Sequence, residues 1–192
     1  MSQIDIHTLK QRHSVRKLVA FLWLSIALVL FSGPSWCADA GPLVISVPEG
    51  FEGPTRSDEN GGVTIGWLKH QPASASGTLL QISAIDVGNS LDGITPPQRI
   101  EATAHYLLEF LKGIGQRAAN FEVGDIDQAS LAGLPAAHVR WTGSIDGTAT
   151  IGVMYCVLVR HSVVILQTRD VGPEITPAMY TAIGAIERVR LR

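Results

Sequence analysis

Three side chains of the metal-binding type recur every fourth residue in the middle of the chain, namely Glu101, His105 and Glu109. Residues four apart lie one above another on a helix surface, and carboxylate and imidazole groups are ligands for zinc. The spacing therefore predicts a metal-binding stripe. The same spacing also fits a solvent-exposed face, because the stripe points about 140° away from the apolar stripe of the same helix.

Two histidines offer acid–base chemistry elsewhere in the chain. His138 and Arg140 alternate on a predicted strand and so share one face, and His161 falls in a nearby turn. Asp146 or Asp170 could approach either histidine, which would give the imidazole–carboxylate pair that a hydrolase needs. The same residues also fit a polar edge of the sheet that faces solvent.

A set of aromatic residues could form a ligand site. Trp67, Tyr106 and Trp141, together with Phe51, are predicted to line an apolar groove between a sheet and a helix. Such a groove would accept a small ligand or a peptide. Large aromatic side chains at these positions serve equally well as hydrophobic core, so both interpretations stay open.

Known catalytic and cofactor signatures are missing from the sequence. The serines in residues 143–147 and 88–93 stand among glycines, but neither stretch has the Gly-x-Ser-x-Gly pattern of a serine hydrolase. There is no phosphate-binding glycine loop, no Cys-x-x-Cys pair and no His-Glu-x-x-His motif. We therefore expect a protein without a cofactor and without catalytic activity.

The first 40 residues have the layout of a secretory signal peptide. Four basic residues precede an apolar stretch, and the small residues Ala38 and Ala40 follow it at the spacing that signal peptidase accepts. We expect cleavage after Ala40, export to the periplasm, and one globular domain over residues 41–192. The alternative is an uncleaved anchor in the inner membrane formed by residues 18–33.

The net charge of residues 41–192 argues against nucleic-acid binding, and their cysteine content excludes an internal disulfide bond. Residues 41–192 carry eleven Lys plus Arg and fifteen Asp plus Glu, so their net charge is 11 − 15 = −4 with histidine neutral. No basic patch is left for nucleic acid. Cys156 is the sole cysteine after the leader, which excludes an internal disulfide bond, and its apolar neighbours indicate a buried, inert thiol.

The element that must position these residues is the ribbon over residues 148–168, the longest apolar run after the leader. Its alternating residues are apolar on both faces, so both faces need cover. Shorter strands are predicted before it at residues 43–47, 63–68, 78–85, 121–126 and 136–141. Two helices, each with a threonine cap followed by proline, begin after Thr95 and Thr176. The order is three strands, a helix, four strands and a helix, which predicts a largely antiparallel sheet.

Two short motifs add a resemblance to known families. Pro48-Glu49-Gly50-Phe51 ends the first strand and Gly133-Leu134-Pro135-Ala136 forms a later turn; together with the long apolar hairpin and short closing helix, they resemble PsbP-like and DcrB-like proteins over residues 43–190. The resemblance implies an α+β fold, an α/β/α sandwich with about seven strands and two main helices. It also implies an exported accessory protein that binds an envelope protein or small ligand.

Overall fold

The computed structural model describes residues 39–59, 62–71 and 77–192, so the predicted signal peptide lies almost entirely outside the described residues. The α-helices among these residues are α1 (Pro96–Gly115) and α2 (Pro177–Glu187). The strands are β1 (Asp39–Ala40), β2 (Leu43–Val44), β3 (Glu52–Glu59), β4 (Gly62–His70), β5 (Gly77–Asp86), β6 (Ala119–Val123), β7 (Asp127–Leu131), β8 (Leu134–Ile145), β9 (Thr148–Val159), β10 (Ser162–Val171) and β11 (Arg190–Leu191).

Eight strands form one antiparallel sheet in the order β3-β4-β5-β10-β9-β8-β6, with β7 also paired to β8. The sheet and the two helices confirm the predicted α+β sandwich, with one strand more than expected. None of the helices among residues 39–59, 62–71 and 77–192 is long and apolar enough to cross a membrane.

The predicted apolar ribbon lies at the centre of this sheet as β9 and β10. Val153, Tyr155 and Val157 belong to the core on one face, whereas Met154 and Cys156 belong to the core on the other. Alternation along a strand turns neighbouring side chains to opposite faces. The prediction that both faces of the ribbon are buried is therefore confirmed.

One face of the sheet is covered by α2 and by a small sheet of β1, β2 and β11. Helix α2 buries Met179, Ala182 and Ile186 against the sheet. The spacing of Tyr180, Ile183, Ile186 and Val189 predicts an apolar stripe on this helix, and that prediction is wrong for Tyr180, which is 61% exposed. Small residues on the buried side let α2 lie close to the strands, and the bulky tyrosine remains outside.

The buried carboxylate of Asp170 fixes the start of α2. Asp170 is 0% exposed and accepts hydrogen bonds from the Thr78 hydroxyl and from the backbone N–H and hydroxyl of Thr176. The Thr176 hydroxyl in turn accepts from the N–H of Met179, which is the predicted threonine cap. This network joins β5, β10 and the beginning of α2.

Helix α1 covers the other face and packs on β8 and β9 and reaches β10. The expected Thr95 cap is present, and the Gln98 side chain accepts from the Thr95 backbone N–H, as in a capping box. Trp141 is buried beneath this layer and lies directly over Gly152, its partner across the sheet. A Cβ atom at Gly152 would stand 2.2 Å from the indole ring, so only glycine leaves room for it.

Two strands of the eight-stranded sheet could not be predicted from the sequence. Residues 49–54 have the composition of a turn, but Glu52 and the polar residues that follow form β3 at the edge of the sheet. The alternation of residues 121–126 predicts one strand there, whereas β6 ends at Val123 and β7 begins at Asp127. Both regions pair at the margins of the sheet, where one side of a strand meets solvent and an apolar pattern is not required.

Candidate functional site

The predicted metal-binding stripe lies on the outer face of α1. Glu101 and His105 are exposed, and Glu109 is ion-paired with Lys112 on the next turn. Within the part of the chain that the structure describes, no three His, Cys, Asp or Glu side chains are arranged to hold a metal ion. Metal binding by Glu101, His105 and Glu109 stays a prediction without a preformed site.

The three aromatic residues of the predicted ligand groove do not share one groove. Trp67 is buried in the core on the α2 side of the sheet, whereas Trp141 and Tyr106 belong to the core on the α1 side. Tyr106 packs edge-on against His105, with 5.9 Å between the ring centroids. The sheet separates Trp67 from the other two, and ligand binding by these aromatics stays a prediction.

His138 instead takes part in a polar row that runs across three strands on the α2 side of the sheet. In this row, Asp127 on β7 is opposite His138 on β8, and His138 is opposite Tyr155 on β9. The expected partners of the histidines were different. Asp170 is held by Thr78 and Thr176, and the carboxylate nearest His138 belongs to Asp127.

The rings and carboxylates of this row are in contact. The His138 and Tyr155 rings are stacked, with centroids 5.2 Å apart and an interplanar angle of 17°. His138 Nε2 lies 4.0 Å from Asp127 Oδ2, and the Tyr155 hydroxyl donates a hydrogen bond of 3.0 Å to Glu187 Oε1 at the end of α2. We call Asp127, His138, Arg140, Tyr155 and Glu187 the His138 patch.

The electrostatics of the patch keep Tyr155 protonated. Burial raises the pKa of the Tyr155 hydroxyl well above its usual value; the neighbouring charge and hydrogen bond of Glu187 raise it further, and Arg140 opposes the shift. A phenol with a raised pKa is a hydrogen-bond donor and not a nucleophile. Tyr155 therefore holds the Glu187 carboxylate at the surface of the patch.

The patch offers hydrogen-bonding groups but lacks a nucleophile. His138 Nδ1 is buried without a hydrogen-bond partner, and among the described residues no serine, threonine or cysteine is bonded to this imidazole. Cys156 follows Tyr155 in the chain and so faces the α1 side, where burial raises the pKa of its thiol. A Ser–His or Cys–His pair is therefore not formed at His138.

His161 lies in a separate place. It occupies the turn between β9 and β10, and its Nδ1 is 3.4 Å from Asp92 Oδ1, with both side chains more than half exposed. The His161 carbonyl accepts a hydrogen bond from the N–H of Val87. This pair links two surface loops and does not join the His138 patch.

Part of the patch could have been found by counting from two turns. The two-residue turn Asp146–Gly147 pairs Ile145 with Thr148, and seven steps along each strand lead to His138 and Tyr155. The turn between Leu131 and Leu134 places Asp127 opposite His138 in the same way. Glu187 has no such signal, because its position depends on how α2 docks on the sheet.

Two solved structures have folds similar to that of this chain. LpqN, which is involved in cell envelope biogenesis of Mycobacterium tuberculosis, superposes with a TM-score of 0.52 over 80% of this chain and 86% of that chain, at 18% sequence identity. The Saccharomyces cerevisiae Ran-binding protein Mog1p superposes with a TM-score of 0.52 over 80% of this chain and 92% of that chain, at 9% sequence identity. The chain shares their sandwich fold.

These likenesses concern the fold alone, because the identities are low. No family model and no curated protein matches the sequence. The sandwich class expected from the PsbP-like and DcrB-like resemblance is confirmed, while membership of either family stays a prediction.

Proposed function

We propose that this protein is an exported accessory protein of the cell envelope that binds a partner protein through the His138 patch and catalyses no reaction. The observation that carries the proposal is the composition of the patch. Two carboxylates, a guanidinium group and a stacked pair of rings are held together on β7, β8, β9 and the end of α2, with no nucleophile bonded to His138 among the described residues.

The patch has the features of a surface that recognises another protein. Aromatic and arginine side chains are enriched where proteins bind each other. The His138 side chain is 29% exposed and is stacked on the buried Tyr155 ring, so little conformational entropy is lost when the imidazole is contacted. The exposed side chains of Glu187 and Arg140 carry opposite charges, which would orient a complementary partner.

The proposed location has independent support. The first 40 residues have the layout of a signal peptide. LpqN, whose fold is similar, is involved in cell envelope biogenesis, and Mog1p binds Ran, so sandwiches of this kind occur in an envelope protein and in a protein-binding protein. The alternative location is the inner membrane, with residues 18–33 as an uncleaved anchor.

The second candidate function is an envelope hydrolase. It is favoured by the approach of His138 to Asp127, an imidazole–carboxylate arrangement that could serve acid–base catalysis. In that case His138 would activate a water molecule, because no hydroxyl or thiol of the described residues is bonded to it. Replacing His138 would then abolish turnover of a substrate, whereas Tyr155→Phe would leave the imidazole and Asp127 in place.

The test is capture of partners from the envelope fraction with tagged protein whose N-terminal sequence has been determined. We expect a chain that begins near Gly41, and a partner retained by the wild type but at least about tenfold depleted with either variant. Tyr155→Phe removes the hydrogen bond that holds the Glu187 carboxylate, and Glu187→Gln removes the charge of that group. His105→Ala on the outer face of α1 is the matched control and should retain the partner. Equal retention by all four proteins would refute the role of the patch.

A further inference from the structure

Three of the eleven basic residues that follow the predicted leader stand at alternate positions after α2, namely Arg188, Arg190 and Arg192. All three are exposed. Among the described residues, no carboxylate forms a salt bridge with Arg188 or Arg190. The acidic neighbour in the chain, Glu187, is hydrogen-bonded to the Tyr155 hydroxyl. We call the three arginines the arginine face.

The small sheet of β1, β2 and β11 turns these side chains outward. Strand β11 pairs with β2, and the residue after Arg190 is opposite Leu43, which is 0% exposed. Val189, the residue before Arg190, also belongs to the core. Because neighbouring residues of a strand point to opposite sides, Arg190 and Arg192 face away from the core. The backbone N–H of Arg192 donates to the Pro42 carbonyl at 3.1 Å, so the arginine face is fixed to the folded domain.

The predicted leader joins the domain at the same small sheet. Strand β1, which begins at Asp39, pairs with the other side of β2. The predicted apolar segment ends at residue 33, which is 39 − 33 = 6 residues before β1. An extended chain of that length spans at most roughly 20 Å, and β11 lies two strand spacings, about 10 Å, from β1. A chain whose leader is still in the membrane therefore keeps the arginine face close to the lipid headgroups.

Cleavage after Ala40, as the sequence predicts, would make this surface more basic. It would remove Asp39, which the register turns to the same side as Arg190. The new amino group on Gly41 would stand one residue before the carbonyl that binds the N–H of Arg192. An α-amino group is largely cationic at neutral pH. The processed chain would thus add a fourth positive charge beside the three arginines.

Guanidinium groups and phosphate groups are complementary in charge and in geometry, because the planar fork of arginine donates two hydrogen bonds to one phosphate. Each arginine near an anionic membrane surface strengthens the attraction about fivefold. The net charge of −4 over residues 41–192 does not cancel this effect. At physiological ionic strength, charges further than about 8 Å from the membrane are largely screened, so the local charge of the arginine face decides the interaction.

We propose that the arginine face docks the domain on a membrane surface rich in anionic phospholipids, through the phosphate groups of the lipids. The proposal rests on the proposed location in the envelope and does not depend on the His138 patch. Docking would keep the processed protein at the membrane surface after its leader is removed.

The test is sedimentation of the exported, leader-processed protein with lipid vesicles. Vesicles of phosphatidylcholine with half of the lipid replaced by phosphatidylglycerol should bind the wild type at millimolar lipid and physiological ionic strength, and vesicles of phosphatidylcholine alone should not. Molar salt should release the protein, because it screens charges beyond about 3 Å. The triple variant Arg188→Gln, Arg190→Gln and Arg192→Gln should bind about a hundredfold more weakly, since three fivefold factors are lost.

The matched control is the triple variant Arg56→Gln, Arg117→Gln and Arg160→Gln, which removes the same charge from exposed positions elsewhere in the domain. It should bind anionic vesicles as the wild type does. The proposal is overturned if the wild type does not bind anionic vesicles, if it binds neutral vesicles equally well, or if both triple variants lose binding to the same degree. Melting curves of both variants separate lost binding from lost folding.

Partner capture separates this proposal from the role of the His138 patch. Tyr155→Phe should bind anionic vesicles as the wild type does, and the variant of the arginine face should still capture the partner protein. A variant of the arginine face that loses the partner but keeps its vesicle binding would show that these arginines contact a protein, and would overturn docking on lipid.

Discussion

Replacing Gly152 with alanine should destabilise the domain by overpacking the interior of the sheet. The new Cβ would lie 2.2 Å from Cε2 and 2.4 Å from Nε1 of Trp141, whereas ordinary contacts begin at 3.4 Å. The indole must move by more than 1 Å within a layer that α1 and Phe121 also contact. Overpacking of this kind costs roughly 1–3 kcal/mol.

The measurement is thermal unfolding of five proteins, namely the wild type, Gly152→Ala, Gly66→Ala, Trp141→Leu and the double variant. A loss of about 2 kcal/mol corresponds to a fall in Tm of roughly 4–8 °C for a domain of this size. Gly66→Ala is the matched control, since it adds the same methyl group to a strand glycine that has room for it. The double variant Gly152→Ala with Trp141→Leu should lose less stability than the sum of the two single changes. A Gly152→Ala protein with the same Tm as the Gly66→Ala control would refute the packing described for Trp141.

Two further predictions concern Asp170 and Tyr155. Asp170→Ala leaves the donors of Thr78 and Thr176 unpaired in a buried position and should lower the free energy of unfolding by about 3–5 kcal/mol, measured with denaturant. Asp92→Ala is the control at an exposed aspartate and should change the free energy of unfolding by less than about 0.5 kcal/mol. Equal effects of the two variants would contradict the role of the buried carboxylate. The raised pKa of Tyr155 means that its contribution to stability is present below its unfolded pKa of about 10 and is lost as the pH rises beyond it. Denaturation at pH 8 and pH 11 should therefore show a smaller alkaline loss for Tyr155→Phe than for the wild type, and identical losses would exclude burial of this phenol.

The central layers could be predicted from the sequence because their signals are local and strong. Val153 and Met154 are apolar neighbours in one strand, which requires cover on both faces, and the structure provides α1 on one face and α2 on the other. Threonine followed by proline at Thr95 and Thr176 marks the start of each helix, where the structure has them. These features depend on a few neighbouring residues and not on tertiary contacts.

The margins and the candidate site were less predictable. Strand β3 is polar because it lies at the edge of the sheet, so its residues show no apolar alternation. The pairing of His138 with Tyr155 follows from a two-residue turn, but Glu187 reaches the patch only because α2 docks in one orientation. The separation of Trp67 from Trp141 depends on which face each strand turns inward, and that register requires the complete sheet.

The most direct test of the proposed function is cross-linking in the envelope from the His138 patch itself. A photoreactive amino acid at Arg140, an exposed member of the patch, should give one discrete cross-linked partner, and the same group at His105 on the outer face of α1 should not. The Arg140 product should disappear when Tyr155→Phe is added. Cross-linking of the same partner from both positions, or from neither, would contradict recognition through the patch.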